Sequence, residues 1–391
     1  MKVFLIAGEP SGDRLGAALM AGLKTLVDEV EFLGIGGSAM TAEGLQSRFP
    51  MSELSIMGIA EVAPKYFHLK RRIRETAEAV IAANPDVLIT IDSPDFCLRV
   101  ARIVKEDEVE GLTFGHDIPT VHYVAPSVWA WRPKRAEKMA QWIDHVLALL
   151  PFEPPYMEAA GMSCDFVGHP VVAEPTASDT EAQAFRDQNG IDDGPLILAL
   201  PGSRKGEVTR LSGRFGETLG RVQRDHPNLK VALPVAQGVD ELVRDMTANW
   251  PVRPILIPAE QADQKRAAFR AADVALAASG TVSLELAAAG TPMVIAYDMN
   301  WLSRLLIGRL LKVDTVTLVN LVSDTRVVPE FLGRDCTPEQ IAPALLSTLA
   351  DPSAQKDAMA LTMDRLGKGG EAPGLRAARS VLEVVARGQT A

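Results

Sequence analysis

Short apolar, β-branched runs alternate with helix-length stretches along this chain; the alternation breaks once and then starts again. The first series runs KVFLIAG, VEFLGIGG, DVLITID, TVHYVAP, DHVLALLPF and CDFVGHP. Strands that alternate with helices form a parallel sheet covered by helices on its faces. From residue 171 to 194 the chain turns polar, acidic and Pro-bearing (VVAEPTASDTEAQAFRDQNGIDDG), and strand-like runs then resume as PLILALPG, LKVALPV, RPILIPA, DVALAASG and PMVIAYD. No short period repeats, which argues against a solenoid. The expected organisation is therefore a doubly wound α/β unit over 1–172, a linker over 173–194, a second such unit over 195–349, and a helical segment over 350–391. Ligands of such sheets bind outside the carboxyl ends of the strands, here in a cleft expected between the two units.

Composition narrows the partners. A chain of 391 residues with 47% hydrophobic content is long enough for two core-bearing domains. Its formal net charge of -10 argues against nucleic acid as the main partner. Three widely spaced cysteines, Cys97, Cys164 and Cys336, support neither a disulfide framework nor a Cys-based zinc site, and fit a reducing cytosolic setting. The apolar start MKVFLIAGEP is too short for a secretory signal and reads as a first strand. Nor does any apolar run approach the roughly 18 residues of a spanning helix, so membrane contact is expected to be peripheral.

The stretch LILALPGSRKGEV places Gly202, Ser203 and Arg204 where a buried strand gives way to a helix. Glycine lets the backbone turn sharply, the N–H groups that follow open toward a ligand, and Arg204 offers a bidentate fork to phosphate oxygens. This corner suits a diphosphate. It is not the G-x-x-x-x-G-K-[ST] loop of nucleotide hydrolases, and nothing nearby demands a metal. Downstream, in ASGTVSLELAAAG, Ser279, Gly280 and Thr281 are expected to cap a helix whose free N–H groups favour an anion. Glu285 follows one turn later, where a carboxylate accepts hydrogen bonds from the vicinal hydroxyls of a ribose.

The first unit carries the opposite charge. GEPSGDRLG resembles a dinucleotide fingerprint only superficially, because Glu9 and Asp13 stand where a pyrophosphate would be repelled. Glu9, Ser11, Gly12 and Asp13 suit instead a hydroxyl-bearing ligand, with an acid-led helix start as the plain alternative. DVLITIDSPDF ends a strand at Asp92, a candidate general base, whereas Asp95 reads as a helix-start residue. His122 and His169 read better as satisfied structural histidines.

Three segments mix cations with apolar residues: PKYFHLKRRIR (64–74), WAWRPKRAEKMAQW (129–142) and NWLSRLLIGRLLK (300–312). The last forms an amphipathic helix without acids. Trp129, Trp131, Arg132, Lys134, Arg135, Trp301, Arg304 and Leu305 are accordingly expected to face an anionic membrane or acylated substrate.

Taken together, AGEPSGDRLGA, GIGGSAM, ELSIMGIAEV, IDSPDF, HYVAPSVWAWRPKR, LLPFEPPY, VGHP, LPGSRKGEV, SGTVSLE and LVNLV make the sequence resemble the lipid-A-disaccharide synthases. The resemblance covers most of the chain except about 350–391. It implies a GT-B fold and an inverting transfer from UDP-2,3-diacylglucosamine to 2,3-diacylglucosamine 1-phosphate. The products would be a β-1,6-linked disaccharide and UDP, made with no required metal and no cofactor at the cytoplasmic face of the inner membrane. Carried over by position, the family's base falls on Asp92, its arginine on Arg204, its nucleotide site on the second unit and its loop asparagine on Asn320, although Val319 stands where the family has proline. The C-terminal segment of such enzymes returns to the first unit or is exchanged in a homodimer. Two other readings stay open at this level: a UDP-N-acetylglucosamine 2-epimerase of the same fold, which would need no apolar-basic surface, and a non-catalytic sensor, which would not need Asp92.

Overall fold

The computed structural model describes residues 1–54, 59–109, 112–114, 117–130, 134–298 and 313–388. The chain divides into one unit made of Met1–Ala173 with Gly369–Ala391, and a second made of Glu174–Lys368.

In unit 1 the strands are β1 (Lys2–Ala7), β2 (Glu31–Ile35), β3 (Val87–Ile91), a small antiparallel pair β4 (Asp107–Val109) and β5 (Leu112–Phe114), then β6 (Thr120–Tyr123), β7 (His145–Ala148) and β8 (Ser163–Phe166). The main sheet has the order β2-β1-β3-β6-β7-β8, parallel throughout. Its inner strands β3, β6 and β7 are buried along their whole length and mostly apolar, with Thr90, Thr120, His122 and His145 as buried polar exceptions, whereas edge strand β8 is largely uncovered. Helix Pro10–Leu26 starts on a proline suited to the first helical turn and lays Leu15, Leu19, Met20 and Leu23 on the sheet.

The last helix, Pro373–Gly388, joins the same core through Ala377, Ala378, Val381, Val384 and Val385. Its contact with helix Pro10–Leu26 is close enough that a Cβ on Gly374 would lie 2.5 Å from the Ala18 carbonyl oxygen. Arg376 donates to the Phe166 carbonyl at 2.6 Å, and Ser380 donates to Asp165 at 2.6 Å while its hydroxyl lies 2.8 Å from His145 Nε2. The preceding helix, Ser353–Arg365, stays with unit 2, where Arg365 donates to the Val322 carbonyl at 2.7 Å. The segment expected over 350–391 is thus divided between the units at Lys368.

Unit 2 carries β9 (Leu196–Leu200), β10 (Lys230–Pro234), β11 (Ile255–Ile257), β12 (Val274–Ala277), β13 (Met293–Tyr297) and a short sixth strand, β14 (Glu330–Leu332). Their order is β11-β10-β9-β12-β13-β14, again parallel. The linker expected over 173–194 is not one. It contains helix Asp179–Gln188, whose start is a reciprocal capping box between Ser178 and Glu181. Arg270 holds Asp179 at 2.7 Å, and Arg186 reaches the Ala271 and Gly194 carbonyls at 2.8 and 2.9 Å. The acidic composition that suggested a linker is the solvated face of a docked helix.

Strand order reverses between β1 and β3 in unit 1 and between β9 and β12 in unit 2. The crevice at such a switch point is where this sheet type binds ligands.

Candidate active site

At the unit 2 switch point, Ala278 N–H donates to the Leu200 carbonyl at 2.8 Å, so the loops leaving β9 and β12 start side by side. The β9 loop turns at Gly202, whose φ of +118° lies outside the range of L side chains. Arg204 then opens helix Lys205–Asp225. The β12 loop turns at Gly280, and helix Val282–Ala289 starts after Thr281, with Gly280 and Thr281 exposed and Ser279 half-buried. Two helix N-termini and an exposed guanidinium therefore share one crevice, a setting that favours a phosphate-bearing anion.

One occupant is already present. Glu207, in the first turn of its helix, folds back so that its carboxylate accepts the Ser203 and Arg204 N–H groups at 3.1 and 3.4 Å. Arg204 Nη1 lies a loose 3.5 Å from the same carboxylate and keeps a side chain 66% exposed. The N–H groups expected to open toward a ligand are thus partly engaged, which corrects the simpler picture of a vacant corner. The missed residue had a sequence signal, since Glu three places after a helix start is the capping-box position.

The unit 1 switch point brings Gly8 against Ser93, where β1 and β3 end beside each other. Asp92 and Ser93 both adopt left-handed backbone, with φ of +50° and +42°, and Val124 at the end of neighbouring β6 has φ +85°. Positive φ at a β-branched residue is costly, and strain of this kind gathers at functional sites. Asp92 N–H donates to the Tyr123 carbonyl at 3.0 Å, which pins the strained turn to β6. Its half-buried carboxylate takes no hydrogen bond or ion pair from the described residues, so its lone pairs remain available to a substrate proton.

The family comparison now discriminates among enzymes that share such crevices. A lipid-A-disaccharide synthetase family model matches residues 3–381. The chain belongs to the lipid-A-disaccharide synthase family. A lipid-A-disaccharide synthase of Ruegeria pomeroyi is 64% identical over 389 residues, covering 98% of this chain and 95% of that protein. One from Rhodospirillum centenum is 46% identical, with coverage of 98% and 95%. The chain is accordingly a hexosyltransferase of lipid A biosynthesis acting on lipid A precursors. Among solved structures, a Neisseria meningitidis UDP-GlcNAc 2-epimerase bound to UDP-GlcNAc aligns with a TM-score of 0.62 at 11% identity, covering 99% of this chain and all (100%) of that one. S. aureus MnaA, in a co-structure with UDP, aligns at 0.64 and 13%, covering 97% and 94%. These two share the GT-B fold; it is the synthase family match that separates this chain from an epimerase.

Several expected site residues have other duties. Asp13 is 4% exposed and its carboxylate accepts the Gly37, Ala39 and Met40 N–H groups at 2.7–3.0 Å, so it caps helix Ser38–Ala42 and is spent as a sugar ligand. Gly12 is buried against the Ile91 end of β3, leaving Glu9, half-buried, and Ser11, exposed, at the crevice. Asn320 is 1% exposed; both amide donors go to Thr315 and the Val328 carbonyl, and its oxygen accepts Val328 N–H. It lies in helix Leu318–Ser323, ties that helix to Thr315 and Val328, and has its amide fully engaged by the protein. Thr281 makes no side-chain cap, and Glu285 accepts Lys265 at 2.7 Å while remaining partly exposed.

Trp129, expected at a membrane, is turned inward. Its ring meets Phe152 edge-on at 5.2 Å and its Nε1 donates to Glu153 at 3.3 Å. Burial raises that Glu153 carboxyl to about 7. Lys134 is exposed and Arg135 half-buried, while Trp131, Arg132, Trp301, Arg304 and Leu305 lie outside the described residues. In the first apolar-basic segment, Phe67 is 81% exposed. His122 Nδ1 lies 2.8 Å from the Thr90 hydroxyl, and burial, aided by the Arg135 charge, lowers its pKa to about 4. His169 accepts the Val171 N–H at 3.2 Å and burial lowers it likewise to about 4. Both are neutral structural imidazoles. No helix among the described residues is long and apolar enough to cross a membrane, and no cluster of three or more His, Cys, Asp or Glu among them is arranged to hold a metal.

Proposed function

We propose that unit 2 holds the UDP of UDP-2,3-diacylglucosamine and that Asp92 of unit 1 activates 2,3-diacylglucosamine 1-phosphate. The observation that carries this reading is the strained, unpartnered Asp92 carboxylate at one switch point, matched by the Arg204 corner at the other. The diphosphate lies across Gly202, Ser203 and Arg204 and against the N-terminus formed by Ser279, Gly280 and Thr281, with Glu285 on the ribose. Asp92 takes the proton of the acceptor's 6-hydroxyl as that oxygen bonds to the donor's anomeric carbon. The bond from that carbon to the diphosphate breaks on the opposite face, its electron pair leaves on UDP, and α becomes β. Arg204 and the helix N-termini oppose the charge that grows on the leaving group.

Both substrates carry acyl chains, so the enzyme works at a bilayer surface, peripherally and on the cytoplasmic face of the inner membrane. The exposed Phe67 beside Lys70 and Arg71 supports this contact. Release of UDP from purified protein, with donor alone and with donor plus acceptor and no added metal, tests the reaction. Acceptor-dependent release is expected; release indifferent to the acceptor sinks the transferase reading.

A further inference from the structure

Along the helix that follows the candidate base, unit 1 contains a groove of about 460 Å³ that the reaction as described leaves unused. One wall is the face of helix Pro94–Lys105 that carries Asp95, Leu98, Arg99 and Arg102, spaced three and four apart. The other is helix Lys134–Met139, which presents Arg135, Lys138 and Met139 at the same spacing, and Trp142 closes the floor. Among the described residues of the lining, four cations thus face one groove and Asp95 is the one acid.

Only Arg102 is neutralised, by Glu106 at 2.8 Å, and it sits over the Trp142 ring at 5.7 Å. Trp142 in turn donates to Glu106 at 2.6 Å. Arg99, Arg135 and Lys138 have no ion-pair partner among the described residues. In a chain of net charge -10, surface cations have many acids to pair with. Three left unpaired around one semi-apolar groove form a site for an anion attached to a larger body, and a phosphomonoester is the dianion that suits several separate donors.

Location then selects the phosphate. The groove lining begins at Pro94 and Asp95, two and three residues after Asp92, on the helix that the strained turn launches. An acceptor sugar whose 6-hydroxyl meets Asp92 must put its anomeric phosphate elsewhere, and this groove lies next along the chain from that base. We propose that Arg99, Arg135 and Lys138 bind the 1-phosphate of the acceptor and thereby orient its hydroxyl toward Asp92. The inference rests on the transferase reading above, and it assigns a specificity that reading leaves open.

Binding tests it apart from turnover. In the full chain carrying Asp92→Asn, calorimetric affinity in detergent micelles is measured for 2,3-diacylglucosamine 1-phosphate and for the same lipid without its phosphate. The phosphorylated lipid is expected to bind more tightly. Adding Arg99→Ala and Lys138→Ala, both at exposed positions, is expected to weaken it about tenfold or more and leave the dephosphorylated lipid unchanged. Arg99→Lys should restore part of the difference, and an unchanged melting temperature separates lost binding from lost fold.

Equal affinity for the two lipids, or a preference that survives both substitutions, overturns the assignment. Loss of sedimentation with phosphatidylglycerol vesicles while the phosphate preference persists also overturns it, in favour of a phospholipid headgroup. Phosphate-selective binding in a protein whose unsubstituted form releases no UDP would instead retain the groove and sink the transferase reading.

Discussion

The two sheets differ in strand order, β2-β1-β3 against β11-β10-β9 at their reversing ends, yet each places two loops side by side at its switch point. What the loops carry is opposite in charge. Unit 1 presents two carboxylates, Glu9 on extended backbone and Asp92 on strained backbone, while unit 2 presents glycines, helix N-termini and Arg204. Both also hold a carboxylate in the first turn of the helix that follows their first strand. Asp13 reaches away to cap a second helix, and Glu207 turns back onto its own corner. The fold supplies two equivalent crevices, and a few side chains make one suited to abstracting a proton and the other to receiving a diphosphate.

The largest effects should divide that comparison cleanly. Asp92→Asn removes the proton acceptor with little change in shape, so turnover should fall by about 10² to 10⁴ while UDP binding by calorimetry stays intact. Arg204→Ala should lower turnover by about 10² to 10³ and weaken UDP as well, because the guanidinium is asked to oppose charge before and after the bond breaks. Equal loss of UDP affinity in both variants would erase the assignment of separate roles.

Acid should separate the units next. His122 and His169 both lie in unit 1, and burial lowers each from the ordinary 6.5 to about 4. A lowered folded-state pKa means the unfolded chain takes up the proton first. Their contribution to stability is therefore complete above about pH 6.5 and lost as pH falls toward 4. Glu153, also in unit 1 and raised by burial to about 7, works against them, because the folded chain takes up its proton first as pH falls below 7. Two imidazoles outweigh one carboxyl, so hydrogen exchange at pH 7 and pH 5 should show the strands of unit 1 losing protection ahead of β9 and β12. Uniform loss across both units would mean that these imidazoles do not set the acid limit.

Much of this plan is legible in the sequence for a physical reason. Buried parallel strands are mostly apolar runs, and the turns leaving them need residues such as Gly202 or Asp92 at the strand end. What was not legible depends on partners distant in sequence. Asp13 looked like a ligand because its three N–H donors arrive from residues 37 to 40. Trp129 looked like a membrane anchor because composition does not say which side of a segment meets Phe152 and Glu153. Residues 179–188 looked like a linker because a short polar helix held by arginines carries a weak apolar stripe. The three-residue β14 is simply too short for periodicity to register.

Backbone conformation offers a smaller test in unit 2. Gly202→Ala would force a side chain into φ +118° and bring its Cβ within 2.5 Å of Glu207 Cβ. A loss of about 1 to 3 kcal/mol in unfolding free energy is expected, with weaker UDP binding. Full stability in denaturant titration would show that the corner relaxes without cost.

The smallest effect bears most directly on the contrast between the two first-turn carboxylates. If Glu207 holds the place of a diphosphate, Glu207→Gln keeps an oxygen to accept the Ser203 and Arg204 N–H groups while removing the like charge. UDP should then bind about threefold to tenfold more tightly. Asp13→Asn should leave UDP affinity unchanged and cost about 1 to 3 kcal/mol of stability, since one amide oxygen cannot replace a buried carboxylate that accepts three N–H groups. Weaker UDP binding in Glu207→Gln would reverse the interpretation: the carboxylate would then serve the site by orienting Arg204, and both units would use their first-turn acid as scaffold.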